Sequence, residues 1–232
     1  LALYYNGFAA FRLSEAPGIS EADRANALNA CIDSLTKMAA VGAASEQEHA
    51  GQAMYLLARA QHLVGKREEA FKGYDGVIAQ HLKMQQQAVE ALKNPETFKD
   101  KPDEKKRMEV LSKANPEHII RSQFYRAAVL FEQGTFDKAL EAFSSYITAH
   151  PDSPLTADAS LRQGICLWQL KKYPECIEAL TKLSGASPRL ADQALLWIGK
   201  SHVSIGDPSK PPEYLKSLET AAGHFGKAIE LL

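Results

Sequence analysis

The residues able to do chemistry are few and scattered. "GKS" at Gly199–Ser201 has the end of a phosphate-binding loop, but the position of the earlier glycine such a loop needs is Ala194. The stretch also lies inside a helical run, where backbone N–H groups are already engaged. The seven histidines, His49, His62, His81, His118, His150, His202 and His224, include no i, i+4 pair that would seat a metal on one helix face. Cys31, Cys166 and Cys176 are an odd, sparse set with no disulfide framework. Cys166 and Cys176 could meet across a helical hairpin, but small buried thiols are the expectation. No HExxH, CxxC or GxSxG occurs. The expected function is therefore non-catalytic, with no metal and no cofactor.

Charge and hydropathy narrow the partners. The chain of 232 residues has 27 basic and 28 acidic side chains, a net charge of −1. That balance argues against a nucleic-acid binder working through a basic face. No run approaches the roughly 18 apolar residues of a membrane span. The chain opens on "LALYYNGFAAFRL", already helical in pattern and without an initiator Met, and closes on "GKAIELL". It reads as a piece of a longer protein, so the compartment stays open.

Any function must then come from the elements themselves. Ala, Leu, Glu, Lys and Gln dominate, and apolar residues recur at helical spacing nearly throughout. "FDKALEAFSSYITAHP" (136–151) and "YPECIEALTKLSGASP" (173–188) repeat at a fixed offset of 37, pairing Phe136 with Tyr173, Ala139 with Cys176, Phe143 with Leu180 and Pro151 with Pro188. Five units of helix, tight turn, helix and second turn can be aligned. Their first helices share a small residue: Gly7, Ala58, Ala127, Gly164 and Gly199. Ala70, Ala139 and Cys176 follow early in the second helix, where close crossing favours small side chains. Tyr74, Phe143 and Leu180 come four residues later and are expected to plug the gap toward the next hairpin. Gly65, Gly134 and Gly206 are expected to close helix ends in the left-handed conformation. In the outer units "SEAPGISEADRA" (14–25) and "DPSKPPEYLKSLETA" (207–221) lengthen the inter-helix turn, so that Ala221 and Phe225 resume the pattern about ten residues late. The core expectation is Ala127, Ala139, Phe143, Gly164, Cys176, Leu180, Gly199 and Phe225.

This phrase of small residue, Gly, aromatic, Ala, Phe and Pro resembles the tetratricopeptide repeat, best in Ala127, Gly134, Phe136, Ala139, Phe143 and Pro151. In the next unit Lys171 replaces the turn glycine. The resemblance implies an all-α, right-handed α-α superhelix of about five hairpins. It divides the chain into hairpins one and two (1–80), an extended helix with a charged insertion (81–116), and hairpins three to five (117–232). "HPDSPLTADASLRQGICLWQLKKYPECIEALTKL" is more narrowly similar to repeats of bacterial cell-envelope proteins, the Tol-Pal-associated and outer-membrane assembly types, although such phrases also occur in cytoplasmic arrays.

Stacked hairpins leave a concave surface lined by first helices. By resemblance its lining falls six and three residues before the small residue, and one, four and five after it. The candidate groove residues are Tyr55, Arg59, His62, Arg121, Phe124, Phe131, Trp168 and Lys200. Chaperone-binding relatives hold a terminal carboxylate with a Lys–Asn clamp. Those positions here are Tyr55 and Arg59, Phe124 and Ala128, Leu161 and Ile165, Leu196 and Lys200, so the clamp is absent. The expectation is a scaffold binding a peptide or partner helix, with the insertion walling the groove. The alternatives are a purely structural array of a larger protein and, for Phe124, Phe131 and Trp168, a place in the core. Oligomeric state is left open.

Overall fold

The computed structural model describes residues 1–41 and 47–232. Those residues form eleven α-helices and no strand. The order is α1 (Ala2–Ser14), α2 (Glu21–Val41), α3 (Gln47–Leu63), α4 (Arg67–Leu92), α5 (Pro102–Leu111), α6 (Glu117–Glu132), α7 (Phe136–Ala149), α8 (Thr156–Gln169), α9 (Tyr173–Ala186), α10 (Ala191–Ile205) and α11 (Pro211–Glu230). They fall into two compact units, Leu1–Val129 and Leu130–Leu232. In the N-terminal unit α1 packs on α2 and α3 on α4, and α3 also meets α1 and α2. In the C-terminal unit α8 packs on α9 and α10 on α11, with α10 against both α8 and α9. The fold is thus an all-α succession of packed hairpins.

The tight turns explain where the helices stop. After α3, Gly65 and Lys66 donate their N–H groups back to the carbonyls of His62 and Gln61 at 3.0 and 2.9 Å. Gly134 and Thr135 do the same to Phe131 and Leu130, and Lys171 and Lys172 to Trp168 and Leu167. Each is a Schellman closure that satisfies otherwise orphaned carbonyls and needs a left-handed residue. Gly65, Gly134 and Lys171 have φ of 84°, 75° and 61°. Lys171 adopts the strained region at a cost on the order of 1 kcal/mol, because the turn is fixed by the helices it joins. Gly206 departs from expectation. Its φ is −60°, and a Cβ there would lie 2.6 Å from the Tyr214 ring, so close approach of α11 rather than backbone handedness favours glycine.

The small first-helix residues mark helix crossings, and large side chains of the second helices fill them. A Cβ on Gly7 would lie 2.6 Å from Leu35, one on Gly164 2.5 Å from Leu180 Cγ, and one on Gly199 2.7 Å from Phe225 Cδ1. The large residue thus fills its own hairpin's crossing, and Tyr74 and Leu180 also reach the next hairpin, Tyr74 stacking on Tyr125 and Leu180 clustering with Ala194 and Ile198. Leu35 and Leu180 are almost fully buried, each contributing about 1.5–3 kcal/mol of apolar burial. Of the expected core, Ala127, Ala139, Phe143, Gly164, Cys176, Leu180 and Gly199 are buried, whereas Phe225 is only half-buried over Gly199.

The outer turns are shorter than the sequence suggests. In the first hairpin Ser20 caps α2, accepting from the Asp23 N–H at 3.1 Å and donating to the Asp23 carboxylate at 2.7 Å. In the last, Pro211 and Pro212 occupy the first turn of α11, where a missing N–H costs nothing. Extra helix at the N-terminal ends of α2 and α11, more than long loops, absorbs the added residues. Within 81–116, α4 runs unbroken to Leu92, a 3-10 turn follows at Pro95–Phe98, and α5 packs on α4. Phe98 is buried there, while Leu82, Met84, Val89 and Val110 are exposed.

All three cysteines are free and without accessible surface. Burial pushes the Cys31 and Cys166 thiols up to about 12 and raises Cys176. A thiol reagent at neutral pH should leave the native chain unmodified and titrate three groups after denaturation. Rapid native labelling would contradict this packing.

Candidate functional site

In the N-terminal unit three helices, α1, α3 and α6, enclose a groove of about 260 Å³. Each brings an arginine to it: Arg12, Arg59 and Arg121. Two of them are held by carboxylates one helical turn away. Arg12 Nη1 donates to Glu15 Oε2 at 3.1 Å, and Arg121 Nε to Glu117 Oε1 at 2.7 Å. Arg59 makes no ion pair with any described residue. Its guanidinium lies 3.9 Å over the Tyr125 ring, a cation–π placement that orients the charge and leaves its hydrogen-bonding edge uncommitted to acid. Nη1 sits 3.5 Å from His62 Nδ1.

A buried tyrosine layer supports this charge. Tyr55 is 7% exposed and Tyr74 fully buried; their rings lie 6.4 Å apart, and Tyr74 stacks on Tyr125 at 6.0 Å. Burial pushes the Tyr55 hydroxyl up to about 12, Tyr125 adding to the rise while Arg121 and Arg59 oppose it. Tyr74 is raised further, mainly by burial. Both phenols stay un-ionised near neutral pH. The hydrogen bond to Glu117 is the main reason the Arg121 pKa is raised, so its charge is permanent. No serine, threonine or cysteine lines the groove, and among the described residues no group of three or more His, Cys, Asp or Glu side chains could hold a metal. What these side chains can do is bind an anionic, partly apolar surface.

The structure divides the sequence-derived candidates. Tyr55, Arg59 and Arg121 line the groove together. His62 is buried beneath Arg59, within 3.4 Å of the Tyr74 hydroxyl. Phe124 is 4% exposed and packs edge-on against Tyr125 at 5.2 Å, a core position. Phe131, Trp168 and Lys200 belong to the C-terminal unit. There Phe131 meets Phe136 and carries Arg162 over its ring at 5.3 Å. Trp168 packs edge-on against Trp197 at 5.2 Å, and Lys200 sits 4.0 Å over that same Trp197. Trp168 Nε1 is buried with no hydrogen-bond partner among the described residues.

Three further groove residues on α1 fit the register of the other first helices but stand outside the expected set. Counting one, four and five residues beyond Gly7 gives Phe8, Phe11 and Arg12, all of which line the groove. His118, in the first turn of α6, falls outside that register and had no signal beyond its type.

Burial is the main cause lowering the pKa of His118, His150, His202 and His224. The unfolded chain therefore takes up protons near pH 6.5 before the folded chain does. Stability from these neutral imidazoles is complete above that pH and is lost as pH falls through it toward the lower folded values. The melting temperature should drop between about pH 7 and about pH 5; a constant value would contradict the burial.

Comparison with known proteins agrees with the architecture. Residues 126–191 match the family Tetratricopeptide repeat. No curated protein matches the chain. Among solved structures, MamA from MSR-1 is similar at 17% identity and a TM-score of 0.59, covering 99% of this chain and 96% of that one. MamA from Desulfovibrio magneticus RS-1 is similar at 15% identity and a TM-score of 0.59, covering 97% and 94%. A Podosopora anserina kinesin light chain of nearly identical TPR-like repeats is similar at 13% identity and a TM-score of 0.59, covering 97% and 96%. At these identities the likeness is one of fold, and it supports the tetratricopeptide-repeat architecture. No helix among the described residues is long and apolar enough to cross a membrane.

Proposed function

We propose that the chain is a non-catalytic scaffold that holds a peptide or helix of a partner protein against its first helices. The observation that carries this reading is the convergence of Arg12, Arg59 and Arg121, from three successive first helices, on one groove with a tyrosine floor. Arginine and tyrosine are the side chains that dominate protein recognition energetics, because each combines contact area with directional polar groups. Trp168, Trp197 and Lys200 form a second candidate patch in the C-terminal unit. A setting in the bacterial cell envelope is part of the proposal and rests on the 150–183 phrase alone.

The test is selection of short peptides from a display library on the folded chain. Selected peptides should bind the wild-type chain and lose binding to an Arg59→Gln/Arg121→Gln double variant. Lys138→Gln and Lys182→Gln, exposed positions on the second helices α7 and α9, should leave binding unchanged. Failure to select any peptide, or equal losses at the second-helix positions, would overturn the groove as the binding surface.

A further inference from the structure

Next to the arginine groove, in the same N-terminal unit, lies a larger cavity of about 510 Å³. Gln52 and His118 line both, so the two spaces share a wall. Val77 and Ile119, both nearly fully buried, and the 42% exposed Met84 give the second cavity an apolar wall, which Gln80, His81 and Gln87 border. Leu111 of α5 and Met84 of the long α4 complete it, so the cavity exists because this chain carries the 81–116 segment. That segment is tied down locally. His81 Nε2 lies 3.0 Å from the Ala114 carbonyl, and Gln85 Nε2 donates to the same oxygen at 2.9 Å. Its size falls in the range of pockets that enclose small ligands or large side chains.

The charge balance around the shared wall has a sign. Three guanidiniums face two carboxylates, and both carboxylates are already engaged, Glu15 with Arg12 and Glu117 with Arg121. Arg59 is the cation left over. Burial and the neighbouring His81 lower the His118 pKa, so at neutral pH the wall is an uncharged imidazole. An anion is therefore attracted to the first space, while the second favours an apolar group.

We infer that the partner segment is acidic and carries a bulky apolar side chain beside its carboxylates: a carboxylate sits at Arg59 and Arg121, and the apolar side chain enters the cavity behind His118. This rests on the scaffold reading above and names the chemistry of its partner. The arrangement differs from a Lys–Asn clamp on a chain terminus, because it needs no terminal carboxylate and half of it is built by the insertion.

The experiment compares peptides selected on the full chain. They should be enriched in Asp or Glu close to Leu, Phe, Ile or Met. One selected peptide is then synthesised in three forms: as selected, with its acids replaced by amides, and with its apolar residue replaced by Ala. Each change should weaken binding about tenfold or more, and added salt should weaken only the acidic form appreciably. Arg59→Gln should erase the difference between acid and amide peptides. Arg121→Gln, at a largely exposed side chain, should shrink it without the risk to packing that Arg59 carries; unchanged melting temperatures would show that folding is intact. Met84→Lys should erase the preference for the apolar side chain and keep the acid effect. Selected peptides that are neutral or basic, yet lose binding on the groove variants, would overturn this inference and leave the scaffold reading standing. A library that yields no binder would overturn both.

Discussion

Ala139→Glu is expected to destabilise the C-terminal unit by about 3–5 kcal/mol. Ala139 has no accessible surface, near the start of α7. A carboxylate placed there loses its hydration, and its longer side chain has no space. Burial would raise its pKa above the ordinary glutamate value near 4.3. The group would then stay protonated in the folded chain while ionising in the unfolded one. The deficit should therefore be smallest in acid and grow as pH rises from about 4 toward the raised folded pKa. Denaturant unfolding of wild type and variant at two pH values measures this directly. Ala139→Ser, small and neutral, should cost far less. A glutamate variant as stable as wild type would mean that α7 does not pack as described.

The second large effect is expected at Gly164→Val. A Cβ there would lie 2.5 Å from Leu180 Cγ, well inside van der Waals contact, and Leu180 is itself fully buried in the cluster with Leu161, Cys176, Leu183 and Ile198. Leu180 cannot move aside without displacing these neighbours, so α8 and α9 must separate. The cost is about 1–3 kcal/mol or more. A double variant, Gly164→Val with Leu180→Ala, should recover part of the loss, because the added methyls then occupy space vacated by Leu180. Additive losses in the double-mutant cycle would show that the two positions do not touch.

These two sites also show how far the sequence could be read. Gly164, Cys176 and Leu180 were legible because the middle hairpins share one turn length, so their offsets repeat. Their counterparts in the first hairpin, Cys31 and Leu35, were not picked out. There α2 begins earlier relative to its crossing, and the offset from Gly7 grows to 28, the sequence separation of Gly7 and Leu35. Gly206 was misjudged because glycine serves two purposes, positive φ and close approach, which sequence does not separate. In the candidate site, Tyr55, Arg59 and Arg121 followed from the lining positions that the tetratricopeptide resemblance implies. Phe124 and His62 share those positions yet do not line the groove, each packing against a neighbouring aromatic, Tyr125 or Tyr74. For the cavity behind His118 the sequence offered only the expectation that the insertion walls the groove, because its place depends on how α5 packs back on α4.

On the proposed function, the first-helix groove rather than an outer face receives the partner. Hydrogen–deuterium exchange of the full chain with and without one selected peptide tests it most directly. Exchange is expected to slow in α1, α3 and the first turns of α6, with the second helices α2, α7 and α9 unchanged. Protection confined to α2, α7 or α9, with α3 and α6 unaffected at saturating peptide, would contradict it.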